Sequence, residues 1–282
     1  MRRNLAALFL AVFSAAALAA AATPTGSVVA FITDIKGEVA LDDAQRRPPL
    51  LAELAEGQKL SVMKDASLVV MFIRSGAEIS LKGPGLYQIR GAEIIALQGR
   101  SPSVRVTRWR PEAVKLVETS KSATASLRMR SAGSAAARAS EPVFQTGYPV
   151  DTRIASLQPT LRWSDGAKPH TIAVSADGKE IFRGNTEANF LKLPITLVPG
   201  KKYVWTATSA TQRLGPLAFS TLTQHELKRL ADLKPGAAAS FSDRLMYALT
   251  LRSLDARHDA NEVWGELARE RPDLPELAAL AR

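Results

Sequence analysis

Between residues 26 and 110 the apolar residues come in short, β-prone runs separated by turn residues, and this pattern limits the fold more than any other feature. Val28-Val29-Ala30-Phe31-Ile32 is the first run, and Gly37-Glu38-Val39-Ala40-Leu41 resumes after a break expected at Asp34-Ile35-Lys36. Leu68 to Ile73 follows, then the alternating Ala77-Glu78-Ile79-Ser80-Leu81, then Tyr87 to Arg90 and Glu93 to Leu97. Glycines at 57, 76, 83, 85, 91 and 99 punctuate them. Runs this short cannot build long helices. With turn signals at such intervals they read as a sandwich, roll or barrel. Pro84, between two glycines, belongs in a turn, because proline cannot donate to a strand ladder.

A second β pattern covers residues 148–222. Thr171 to Ser175 and Glu180 to Arg183 flank Ala176-Asp177-Gly178-Lys179, a hairpin signal. Leu161-Arg162-Trp163 precedes Asp165-Gly166, and Leu197-Val198-Pro199-Gly200 leads into Tyr203-Val204-Trp205. Residues 223–282 change to helical spacing. Thr223-Gln224-His225-Glu226 is a capping box. Ser240 or Ser242 starts a second helix, Asp259 to Glu262 caps a third, and Asp273 begins a short last one. The expected fold class is therefore mainly β: a small β domain at 26–110, a sandwich at 148–222, and a short α-helical C-terminal segment at 223–282. Residues 111–147, rich in Ser, Ala and Arg, read as a basic linker with a helical start at Pro111.

The N-terminus follows a secretory layout. Arg2 and Arg3 precede an apolar run from Leu5 to Ala20, and small residues end it with Ala20-x-Ala22. Residues 1–22 are expected to be a signal peptide cleaved after Ala22, which makes the protein exported and periplasmic or otherwise associated with the cell envelope. The alternative is a membrane anchor, which needs about 20 strongly apolar residues, and this run is diluted with alanine.

Composition removes some chemistries. The chain has no cysteine, so disulfides, thiolate metal sites and cysteine nucleophiles are excluded. Its net charge of +10 is uneven. Residues 100–138 hold nine basic against two acidic residues, whereas residues 23–99 hold eight against nine. Within this segment Arg105, Arg108, Trp109 and Arg110 form a candidate polyanion contact, because arginine beside tryptophan suits phosphate groups at a membrane surface. Export argues against nucleic acid. The expected partners are an envelope protein, an anionic envelope polymer or a lipid surface.

No local motif supplies catalysis. Ser61-Val62-Met63-Lys64 spells S-x-x-K, but that nucleophile needs a helix start and companion S-D-N and K-T-G elements. Ser164-Asp165-Gly166 does not match the first, and the second is absent. His170, His225 and His258 lack metal-ligand spacing; His225 is placed in a helix first turn and His258 in a loop. Catalytic, cofactor-binding and metal residues are expected to be none. Distant carboxylates assembled by folding leave an envelope glycan hydrolase or peptidase as an alternative, and a periplasmic signalling partner is another.

Three resemblances refine the picture. Gly37-Glu38-Val39, Leu54-Ala55-Glu56-Gly57-Gln58-Lys59-Leu60, Ala66 to Phe72 and Gly76 to Leu81 resemble the FecR-type periplasmic β domain over about 70 residues. The FecR protein carries an anti-sigma segment and a membrane helix before this domain; neither is read here, so its signalling role is not implied. The early Pro159-x-Leu161-x-Trp163 and the late Leu197-x-Pro199-Gly200-x-x-Tyr203-x-Trp205 resemble fibronectin type III or immunoglobulin-like sandwiches. That resemblance implies Trp163 between the sheets and Tyr203 with Trp205 on one face of a late strand. Ala248, Ala260, Trp264 and Pro272 are spaced as in one tetratricopeptide unit. A single unit does not stack on itself, so it is expected to pack against the second sandwich or a partner.

Overall fold

The computed structural model describes residues 27–42, 47–109, 147–164 and 168–281. The residues read as a signal peptide, with Ala22, as well as Arg110 and the expected linker up to residue 146, lie outside the described residues, as does Asp165-Gly166, where a turn is expected. The chain is mainly β, with a short helical C-terminal segment, as the periodicity indicates.

Nine strands form the first unit: β1 (Val28–Lys36), β2 (Val39–Leu41), β3 (Glu53–Ala55), β4 (Lys59–Val62), β5 (Ser67–Phe72), β6 (Ala77–Lys82), β7 (Gly85–Arg90), β8 (Glu93–Gln98) and β9 (Ser103–Val106). They make a five-stranded sheet, β3-β1-β5-β6-β9, and a four-stranded sheet, β2-β4-β7-β8, both antiparallel. β1 runs on through Asp34-Ile35-Lys36, so the break falls just after this tripeptide, at the left-handed Gly37. A register shift between Ile32 and Asp34 absorbs the irregular pattern that suggested an earlier end. Pro84 lies in the β6–β7 turn. Gly83 is required beside it, because a Cβ there would sit 1.7 Å from the Met63 carbonyl oxygen.

Eight strands form the second unit: β10 (Gly147–Tyr148), β11 (Arg153–Ile154), β12 (Thr160–Trp163), β13 (His170–Ala176), β14 (Lys179–Thr186), β15 (Phe190–Lys192), β16 (Lys202–Thr208) and β17 (Arg213–Thr221). Sheet β10-β12-β15 and sheet β11-β17-β16-β13-β14 enclose a separate core of Leu161, Trp163, Ile172, Val174, Tyr203, Trp205 and neighbours. Trp163, Tyr203 and Trp205 are all buried in it. Asp177 and Gly178 both take positive φ, the geometry a two-residue hairpin needs.

Four helices follow: α1 (Gln224–Leu233), α2 (Phe241–Ser253), α3 (Arg257–Glu270) and α4 (Pro275–Leu280). The Thr223–Glu226 capping box is present, and Ser240 caps α2. Two predicted starts differ. α3 begins at Arg257, after a left-handed Asp255, so His258 lies in a helix first turn and not in a loop. α4 begins at Pro275, because Asp273 is held by Arg271.

The helices do not pack mainly on the second sandwich. Phe241, Leu245, Leu249, Trp264, Leu267 and Leu277 share one continuous core with Ala30, Phe31, Val70 and Leu81 of the first unit. The N-terminal unit is thus three layers, sheet on sheet on helices, although its third layer comes from the far end of the chain. Inside this seam the Ser242 hydroxyl donates to Thr33 Oγ1 at 3.0 Å, with both residues buried.

Candidate functional site

The candidate contact strip runs from β9 to Trp109 and lies along the seam between the five-stranded sheet and the helices. Arg105 on β9 is directly opposite Glu78 on β6. Its guanidinium donates to both Glu78 oxygens, at 3.0 and 2.7 Å. It also donates to both oxygens of Asp243, at 3.0 and 3.1 Å. Asp243 stands in the first turn of α2, where a negative charge suits the helix dipole. It accepts the indole N–H of Trp109 at 2.9 Å and the Ser240 hydroxyl at 2.8 Å. Burial works to raise the Asp243 pKa. The bonds from Arg105, Trp109 and Ser240 outweigh it, and the carboxyl is held below its ordinary value. Bonding to Glu78, then to Asp243, raises the Arg105 pKa further above its ordinary value.

Trp109 is buried in the shared core. Buried Thr107 donates to the Gly76 carbonyl at 2.6 Å and accepts the Trp109 backbone N–H. Arg108 stands between these two anchored residues and is itself exposed. The strip is therefore divided: Arg105 and Trp109 join sheet to helix, and Arg108 faces outward. Glu78, Ser240 and Asp243 were not legible as partners. Glu78 sits on the polar side of an alternating strand, which ordinarily faces water; a helical layer from the far end of the chain covers it.

Two further ion clusters join segments. Arg271, after α3, bonds Asp34 of β1, the Ile35 carbonyl at 2.6 Å and Asp273, and stacks on Phe241 at 5.2 Å. The Asp273 carboxyl is pulled down to about 2 by Arg271. On the side of the second sandwich, Arg153 of β11 forks onto Glu226 of α1, holding that carboxyl at about 2. Close by, the Arg153 and Thr152 groups donate to the Asp255 carbonyl, and Asp259 accepts the Ala155 N–H at 3.2 Å. Tyr148 stacks on His258 with ring centres 3.7 Å apart.

Two surface grooves accompany these seams. One, of about 450 Å³, is lined by Arg108, Arg229, Asp232 and Leu233. The other, of about 300 Å³, lies between the second sandwich and the α2–α3 turn, with Thr152, Arg153, Lys202, Val204 and Asp255 on its walls. Ser61 of the S-x-x-K sequence lies on β4, a strand context. Among the described residues no group of three His, Asp or Glu side chains is placed to hold a metal ion. Among them, too, no helix is long and apolar enough to cross a membrane, which leaves β-barrel spans unaddressed. No protein-family model matches the chain, and no curated protein matches it.

Proposed function

We propose that this protein is a non-enzymatic, exported cell-envelope protein that acts as a binding or scaffold module. Its first unit is read as FecR-like, its second as fibronectin-like, and the helical segment as an integral third layer of the first. One observation supports this reading above the others. Arginine–carboxylate clusters join segments distant in sequence: Arg105 with Glu78 and Asp243, Arg153 with Glu226, and Arg271 with Asp34. Such clusters give a stiff two-headed body with fixed surfaces, which is what a scaffold requires. Partners are an envelope protein or an anionic envelope polymer or lipid surface.

The test is affinity capture of the mature chain from solubilised envelopes, alongside an activity screen on purified peptidoglycan. Specific retention of an envelope component without release of soluble fragments is the expected result. Steady turnover of peptidoglycan would replace this reading with the hydrolase one.

A further inference from the structure

We infer that the groove between Arg108 and α1 is a binding site for a zwitterionic phosphoethanolamine group. This rests on the reading of the protein as a binding module. Arg108 and Arg229 come from segments more than a hundred residues apart and line one groove. Among the described residues neither guanidinium is bonded to a carboxylate, whereas Arg105, Arg153, Arg244, Arg257 and Arg271 each are. The backbone that carries Arg108 is anchored, since Thr107 and Trp109 on either side of it are buried and hydrogen-bonded. Two planar forks lining one groove suit the oxygens of a phosphate, which they can contact through paired, charge-assisted hydrogen bonds.

The remaining walls decide the class of ligand. Asp232 faces the same groove, and α1 ends beside it at Leu233. A helix C-terminus presents free carbonyls and a partial negative charge. A plain phosphate would meet that negative end without compensation. A phosphate carrying a primary ammonium satisfies both ends: the oxyanion sits on the arginines, and the ammonium donates to Asp232 and the last carbonyls. Leu233 gives the two-carbon bridge an apolar wall. The group can be a lipid headgroup or a soluble phosphomonoester.

Calorimetric titration of the mature chain distinguishes these cases, with O-phosphoethanolamine, inorganic phosphate and ethanolamine as probes. Phosphoethanolamine should bind best, and Arg108→Gln or Arg229→Gln should each weaken it by roughly tenfold. Asp232→Asn should remove the preference over inorganic phosphate while keeping phosphate binding. Arg213→Gln, an exposed change on the second sandwich, should leave all three titrations unchanged. Co-sedimentation separates the sources: binding to phosphatidylethanolamine vesicles but not to phosphatidylcholine assigns the lipid, and binding to the soluble ester alone assigns the free compound. Equal affinity for phosphate and phosphoethanolamine, no heat with either, or an equal loss in Arg213→Gln would overturn the site. Capture of an envelope protein with no phosphoethanolamine binding would remove the site and keep the proposed function.

Discussion

Replacing Asp243 by alanine tests the seam between the first sandwich and the helices. The carboxylate holds three donors at once: Arg105, the Trp109 indole and Ser240. In Asp243→Ala the Trp109 N–H loses this acceptor in a buried position, which costs about 1–3 kcal/mol. The first turn of α2 also loses its negative charge, for about 0.3–1 kcal/mol. Arg105 keeps Glu78, so its loss is smaller. The expected destabilisation is about 2–3 kcal/mol, read as a lower urea midpoint by circular dichroism and tryptophan fluorescence. Asp243→Asn retains a carbonyl oxygen for Trp109 and should cost only about 1 kcal/mol. If alanine shifts the midpoint no more than asparagine does, the buried indole bond is not what holds this seam.

Other outcomes follow from the same contacts. The Glu226 carboxyl is depressed to about 2, so its contribution is full above the ordinary carboxylate range and lost as pH falls from about 4.5 towards 2; Glu226→Gln should flatten that part of the stability–pH curve, measured by thermal unfolding. Leu245→Ala, at a fully buried position of the shared core, should cost about 2–5 kcal/mol in urea unfolding. His170 is fully buried, and among the described residues neither ring nitrogen has a hydrogen-bond partner. His170→Phe should therefore leave the unfolding midpoint unchanged or raise it, since no bond is lost; a drop of more than about 1 kcal/mol would mean that the imidazole has a partner.

The strands and the first two helix caps could be read from the sequence because they depend on local rules. Asp177-Gly178 sets a hairpin through φ alone, and Thr223 with Glu226 closes a cap within four residues. The docking of the helices could not be read in this way. Alternation in Ala77-Glu78-Ile79 marks two faces of a strand but not whether the polar face meets water or another layer. Glu78 meets Arg105, which also grips Asp243 of α2, and that depends on a contact between residues 138 apart in sequence. The basic run at 105–110 posed the same problem. Charge density drew attention to it as a block, whereas the fold separates it residue by residue: Arg105 between two carboxylates, Trp109 in the core and Arg108 on a groove.

Cross-linking in intact cells that express the chain with its first 22 residues, followed by identification of what is attached, tests the central claim most directly. An exported binding module should give discrete adducts with an envelope protein or envelope polymer, recovered with a chain that begins after Ala22. Adducts confined to cytoplasmic proteins, on a chain that keeps its N-terminal segment, would contradict it.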